Sequence, residues 1–137
     1  MNTLTENLNT KANLGVESLK KAATLGDAHA TFELAKLYRY GWEVPLNAEL
    51  AMQLFTLAAN KGHVGANIEL GKIHLKGDRT LGIEIDINKA KEFFEKALQG
   101  NLHYHAAPNY DPSQAVGEAY RYLKAVQAIR TREIPAA

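Results

Sequence analysis

The sequence contains no cysteine. This absence excludes disulfide bonds, thiolate nucleophiles and cysteine-based metal sites, and it is compatible with a reducing compartment. Long apolar runs are absent too, since no segment approaches the ~20 apolar residues of a membrane-spanning helix. Residues 1–13 alternate polar groups with isolated leucines and lack the apolar core of a secretory signal. We therefore predict a cytoplasmic protein without a membrane partner.

An excess of charge is also lacking. Sixteen lysines and arginines oppose fifteen aspartates and glutamates, which leaves a formal net charge of +1. A balance of this kind does not favour binding to nucleic acid or to an anionic membrane surface. The hydrophobic fraction of 46% and the charged fraction of 23% are ordinary for a globular domain. We predict a single domain spanning residues 1–137, with no nucleic-acid partner.

What the sequence does contain is an internal repeat. Two stretches that begin 36 residues apart share one spacing: Ala30, Leu34, Ala35, Tyr38 and Gly41, then Ala66, Leu70, Gly71, His74 and Gly77. Each is followed by a second pattern: Ala51, Leu54, Phe55, Ala58, Ala59 and Gly62, then Ala90, Phe93, Phe94, Ala97, Leu98 and Gly100. A period of this size is typical of helical repeat arrays, in which each unit buries its apolar face only by stacking on its neighbours.

The repeat also predicts how the chain is divided. Residues 15–26 form a partial opening repeat, 27–62 and 63–100 form two repeats, and 101–137 form a degenerate loop followed by a capping helix. Gly41 and Gly77 are predicted to end the first helix of each repeat, and Asn47 to cap the second helix of the first repeat. The final helix is expected to begin after Asp111 and to reach about Arg130.

These residues resemble the Sel-one-like repeat, a helical-hairpin unit similar in fold to the tetratricopeptide repeat. The second copy departs from the family pattern at His74, where an aromatic residue is usual, and in its longer turn at 77–87. The resemblance implies an all-α protein: a short right-handed α-solenoid of stacked antiparallel helix pairs with a C-terminal capping helix. It also implies a scaffold for protein–protein contact rather than an enzyme.

Small residues inside each hairpin predict where two helices approach closely. We expect Ala35 to contact Ala58, and Gly71 to contact Ala97. A bulky residue in place of Gly71 would then overpack the hairpin at a cost of ~1–3 kcal/mol.

A candidate binding surface follows from the same resemblance, because the first helix of each such unit lines the concave face of an array. The predicted partner-binding residues are Phe32, Lys36, Arg39 and Tyr40 in the first copy, and Ile68, Lys72, Leu75 and Lys76 in the second. Both sets combine apolar residues with cations, which suits a peptide or loop that carries acidic groups and one apolar anchor. The alternative is that these are solvated lysines and residues that pack between repeats.

Signals for chemistry are weak. His103 and His105 form a possible metal pair with His74 or Asp111 nearby, but a structural zinc site needs four ligands, so we predict no metal and no cofactor. Trp42 is expected to anchor its turn. We predict an adaptor that binds another protein. The alternative is an immunity protein, antidote or inhibitor that occludes a toxin or an enzyme, and a hydrolase is the least favoured class.

Overall fold

The computed structural model describes residues 15–100 and 112–133. Residues 15–24 are helical and are called α1. The later helices are α2 (Ala28–Tyr40), α3 (Ala48–Asn60), α4 (Val64–Lys76), α5 (Ile87–Leu98) and α6 (Pro112–Glu133), with a 3₁₀ turn at Arg79–Leu81. Within the described residues there is no strand, only one isolated bridge between Asp78 and Ile83. The predicted all-α fold is confirmed.

Side-chain caps begin the four helices of the two repeats. Each cap accepts a hydrogen bond from the backbone N–H three residues further on, at distances between 2.9 and 3.1 Å. The cap residues are Asp27, Asn47, His63 and Asp86. Such caps satisfy N–H groups that have no partner inside the helix. The predicted cap at Asn47 is confirmed, and the imidazole of His63 performs in the second repeat what a carboxylate performs in the first.

Glycines end α2 and α4, as predicted. Gly41 has a φ of 68° and Gly77 a φ of 73°, a region that favours glycine. Their N–H groups donate to the carbonyls of Leu37 and Ile73. The first helix of each repeat therefore stops at the same point, and the two connecting turns emerge from equivalent places.

The helices stack as antiparallel pairs, α2 with α3 and α4 with α5, with α6 against the second pair. The first core consists of Phe32, Ala35, Ala51, Phe55, Ala58, Ala66 and Leu70. The second consists of Val64, Ile68, Ala90, Phe94, Ala97, Ala119, Leu123 and Val126. Helix α4 contributes to both cores, because residues two apart on a helix point in nearly opposite directions. A repeat that shares its central helix between two cores is the predicted solenoid.

The last helix closes the second core. Its Tyr122 ring stacks on Phe94 with 4.9 Å between ring centroids and 4° between planes. Helix α6 continues to Glu133, beyond the predicted end at Arg130, since the next helix-breaking residue in the sequence is Pro135. The predictions for residues 101–111, including His103, His105 and Asp111, lie outside the described residues.

Close packing in the two hairpins is not identical. Ala35 and Ala58 are fully buried and belong to the first core, and the direct contact between them stays a prediction. A Cβ placed on Gly71 would lie only 2.6 Å from Cε1 of Phe94, and the three atoms closest to it all belong to that ring. Gly71 is therefore small because of Phe94, and its predicted contact with Ala97 stays a prediction.

Candidate functional site

Two of the eight predicted binding residues belong to the cores. Phe32 is 6% exposed and Ile68 is 2% exposed. The ring of Phe32 stacks on His63 of the following repeat at 4.4 Å, and Ile68 packs in the core that α6 completes. The prediction that these two side chains lie off the core is therefore wrong. The next element of the array covers the helix face that was expected to be open.

Leu75 and Lys36 are half-buried and are separate from the other four predicted residues, which line one surface depression. Leu75 packs against the second core. The Nζ of Lys36 is 3.6 Å from a carboxylate oxygen of Glu33 and lies 5.3 Å from the centroid of the Phe32 ring. The ammonium group of Lys36 therefore interacts with side chains of its own helix, α2.

The other four predicted residues come together. Arg39 and Tyr40, at the end of α2, and Lys72 and Lys76, at the end of α4, line one surface depression of about 230 Å³. Glu69, Ile73 and Gly77 complete its lining. The depression therefore lies between the first helices of adjacent repeats and combines three cations with one carboxylate.

Arg39 is oriented by the long turn of the second repeat. Its guanidinium donates to Oδ2 of Asp78 at 2.7 Å. The other carboxylate oxygen of Asp78 accepts from the Thr80 hydroxyl and from the N–H groups of Thr80 and Leu81. The Thr80 hydroxyl, followed by Arg39, holds the pKa of Asp78 below its ordinary value. Through this bridge the turn is attached to the preceding repeat. An aspartate two residues before a threonine is a sequence signal for the local turn, but not for the pairing with Arg39.

Lys72 is also engaged within the chain. Its Nζ lies 2.9 Å from Oε1 of Glu69 and 3.8 Å from Oε1 of Glu118 on α6. Burial by itself would lower the pKa of Lys72, but the hydrogen bond and charge of Glu69, helped by Glu118 and Tyr122, outweigh it and raise that pKa. Lys72 consequently remains charged and links α4 to the capping helix.

Lys76 is different from its neighbours. Its side chain is exposed, and no carboxylate among the described residues lies within 4 Å of its ammonium group. Arg39 and Lys72 are each offset by a carboxylate, so Lys76 supplies the uncompensated positive charge of the depression. A carboxylate of a partner would be attracted to this side of the lining.

Trp42 was expected to anchor its turn; the residue is 54% exposed, and the anchoring role stays a prediction. Its ring stacks on Tyr40 with centroids 4.6 Å apart and planes at 29°, and Tyr40 is itself 47% exposed. Because Tyr40 also lines the depression, the aromatic pair extends that surface outward. The sequence signal was available: the second copy has Lys76 and Asp78 at the positions of Tyr40 and Trp42.

Signals for metal binding or catalysis are weak in this part of the chain. In the described ranges 15–100 and 112–133, no group of three or more metal-ligating side chains is present. The buried His63 is 3.1 Å from His29, Nε2 to Nδ1, but its other ring nitrogen caps α4. In the same ranges, no helix has the length and apolar character needed to cross a membrane.

Comparison with known proteins identifies related sequences. The Sel1 repeat matches the chain twice, at residues 28–63 and 64–102. The chitin synthase regulator SKT5 of Saccharomyces cerevisiae is 34% identical over 103 residues, a match that covers 72% of this chain. That match spans only 14% of the yeast protein, so it concerns one part of a much longer relative.

Solved structures share the fold. A Sel1 repeat protein from Oxalobacter formigenes superposes with a TM-score of 0.58 at 21% identity, over 83% of this chain and 98% of that one. A protective antigen of uropathogenic Escherichia coli strains, which displays an SLR fold, gives a TM-score of 0.57 at 25% identity, over 86% of this chain and 29% of the antigen. Both comparisons agree with the stacked helix pairs described above.

Proposed function

The chain belongs to the Sel1 repeat family, and we propose that it is a non-enzymatic adaptor that binds a partner protein through the depression between α2 and α4. Repeats of this family form a protein-interaction fold that is not typically enzymatic. The yeast relative carries the name of a regulator, which is consistent with a protein that acts by contact. A cytoplasmic location stays a prediction.

The observation that carries this proposal is the convergence of two repeats on one charged surface. Arg39 and Tyr40 come from the first repeat, and Lys72 and Lys76 from the second. These four are the predicted groove residues that line the depression, whereas Phe32 and Ile68 lie in the cores, and Lys36 and Leu75 lie outside the depression. The lone charge of Lys76 favours a partner segment with a carboxylate, in line with the acidic peptide or loop predicted from the sequence.

The ion pairs determine which residue gives a clean test. A glutamate in place of Lys72 would lie beside Glu69 and Glu118, and one in place of Lys36 would lie beside Glu33. Either change would add like-charge repulsion inside the chain and confuse binding with stability. Lys76 avoids this problem, because no described carboxylate depends on it.

The test is quantitative capture followed by direct binding. The chain, its Lys76→Glu variant and its Lys21→Glu variant are used as bait in a lysate of the cell that encodes the protein. Lys21 is exposed, lies on α1 and takes no part in the depression, so its variant is the matched control. We expect one protein whose recovery falls with Lys76→Glu and not with Lys21→Glu.

Calorimetry with that purified protein then measures the effect. Charge reversal at an interface contact should weaken binding by about 2 kcal/mol, or roughly thirtyfold. The melting temperature should fall only slightly, because Lys76 lies in the last turn of α4, where a cation is favoured over an anion by a smaller free energy. The adaptor proposal fails if purified wild-type protein and Lys76→Glu bind every captured protein equally well. The inhibitor hypothesis predicts instead that the captured protein is a toxin or enzyme whose activity the chain abolishes.

A further inference from the structure

The stacked Tyr40–Trp42 pair leaves a large apolar area in solvent. Roughly half of each side chain is exposed, 47% for Tyr40 and 54% for Trp42. Tyrosine and tryptophan on a surface are enriched among the residues that dominate protein–protein binding, because they bury much area and lose little conformational entropy.

The repeat architecture does not require this pair. The second repeat has Lys76 and Asp78 at the two equivalent positions, yet its first helix also ends at a glycine at the same place, whose N–H donates to a carbonyl four residues earlier. Exposed apolar residues that do recur, Leu46 and Ile85, each precede the cap of the following helix and follow from the architecture itself. The aromatic pair is specific to the first repeat.

The local backbone supports a role beyond folding. Glu43, directly after Trp42, has a φ of 62°, in the left-handed region that non-glycine residues rarely adopt. The N–H of Trp42 donates to the carbonyl of Leu37 at 3.0 Å, which fixes the start of the turn. A strained and tethered turn thus presents a half-exposed indole, and strain of this kind is found preferentially at functional sites.

The pair is continuous with the cationic depression, since Tyr40 belongs to both. A ligand on this surface would meet an apolar platform on one side and the uncompensated ammonium of Lys76 on the other. This arrangement matches two adjacent groups of a peptide, one aromatic and one anionic.

We propose that Tyr40 and Trp42 form an anchoring subsite for an aromatic side chain that directly neighbours an acidic residue in the partner protein. This inference rests on the proposed function and names the chemistry that the adaptor recognises. The ring would stack on Trp42 while the carboxylate pairs with Lys76.

Trp42 is the single tryptophan of the chain, so its fluorescence and its indole N–H resonance report on this subsite alone. The probe is the blocked hexapeptide acetyl-Gly-Ser-Glu-Phe-Ser-Gly-amide, titrated into the 137-residue chain. We expect the indole signal to shift with a dissociation constant on the order of 1 mM or tighter. Replacing the peptide's glutamate with glutamine, or its phenylalanine with alanine, should weaken binding about tenfold in each case.

Binding of the same peptide to variants of the protein is measured by the fluorescence anisotropy of a label attached to the peptide. Trp42→Ala should weaken peptide binding about tenfold, and Trp42→Phe should restore most of it, because a ring rather than the indole N–H is required. Circular dichroism verifies that both variants keep the helical content of the wild type. Lys21→Glu is again the control and should bind the peptide as the wild type does.

The inference is overturned if the indole signal does not respond to the peptide, or if the glutamine peptide binds equally well. A response to a uridine hexamer instead of the peptide would also overturn it and would point to base stacking by single-stranded nucleic acid. Failure of this inference is distinct from failure of the adaptor proposal. If Lys76→Glu weakens binding of the partner and Trp42→Ala does not, the adaptor proposal stands and the aromatic subsite is refuted.

Discussion

The two repeats, residues 27–62 and 63–100, build the same hairpin with different means. Both begin their first helix at a side-chain cap, Asp27 or His63, and both end it at a glycine. They differ in the short connecting turn of the first and the long turn of the second, which the Asp78 carboxylate organises. The comparison shows that both repeats keep a helix cap, a glycine at the end of the first helix and small buried residues. The turn that follows each glycine differs between them. The candidate binding surface lies where the repeats differ most.

One pair of equivalent positions that packs differently in the two hairpins is Ala35 in the first repeat and Gly71 in the second. Ala35 is fully buried beside Phe55 in the first core and still accommodates its Cβ. Gly71 has no such room, because Phe94 is stacked on Tyr122 of α6 and presses on the helix backbone. The capping helix thus tightens the hairpin that it covers.

The largest effect is expected from Gly71→Leu, which would force side-chain atoms into the Phe94 ring. We predict that it lowers the free energy of unfolding by about 3 kcal/mol, measured by urea denaturation followed by circular dichroism. Gly117→Leu is the matched control, since Gly117 lies on α6 and a Cβ there would meet nothing within 4 Å. The control should be neutral or stabilising by up to about 1 kcal/mol. Equal midpoints for the two variants would contradict the tight packing assigned to the second hairpin.

Local signals in the sequence were enough to predict the architecture. Glycine stops, the cap at Asn47 and the period of apolar residues depend on neighbours within a few turns of helix. Burial of Phe32 and Ile68 depends instead on which elements lie across that helix face, namely His63 for one and α6 for the other. Such non-local contacts leave no periodic trace, so the sequence pattern does not separate these two core residues from the four that line the depression, Arg39, Tyr40, Lys72 and Lys76.

Trp42 illustrates a different limit of sequence reasoning. A tryptophan that follows a helix-ending glycine commonly packs back on the helix, and Trp42 does so by stacking on Tyr40, the last residue of α2. The pattern alone does not reveal that both residues remain exposed. Comparing the two copies position by position is informative here, because it separates residues that both hairpins share from residues, such as Trp42, that only the first repeat contains.

The next effect concerns the turn that distinguishes the second repeat. Asp78→Ala removes the cap of the 3₁₀ turn and the ion pair with Arg39. We predict a loss of about 2 kcal/mol in the free energy of unfolding. Asp78→Asn keeps an oxygen that can accept the Thr80 and Leu81 N–H bonds and should lose about half as much.

Thermal unfolding of the three proteins, at equal concentration and ionic strength, provides the measurement for this turn. Raising the salt concentration should narrow the gap between Asp78→Asn and the wild type, because the Arg39 pair is partly exposed and is screened. If Asp78→Ala and the wild type have the same melting temperature, the long turn is an independent surface excursion and does not stabilise the contact between the repeats.

The smallest effect comes from another difference between the repeats, Tyr38 in the first and His74 in the second. The His74 ring is 8% exposed and stacks on Phe93 with 5.4 Å between centroids and 3° between planes. Burial, followed by the charge of Lys89, lowers the pKa of His74 and outweighs the opposing effect of Asp86. The histidine therefore substitutes for an aromatic ring only while it is neutral.

The sign of the pH dependence follows from that shift. Because the folded-state pKa of His74 lies below the unfolded value of 6.5, the unfolded chain binds the proton more readily, and stability declines as pH falls below that value. We predict that His74→Phe matches the wild type at pH 8 and loses less stability between pH 8 and pH 5, as measured by urea titrations at each pH. Part of the slope should persist, since burial also lowers the pKa of His29, which faces Glu33, Asp27, Lys36 and the ring of His63. Parallel losses in the two proteins would show that protonation at His74 does not weaken the second hairpin, and that the imidazole is as tolerant a stacking partner as the ring it replaces.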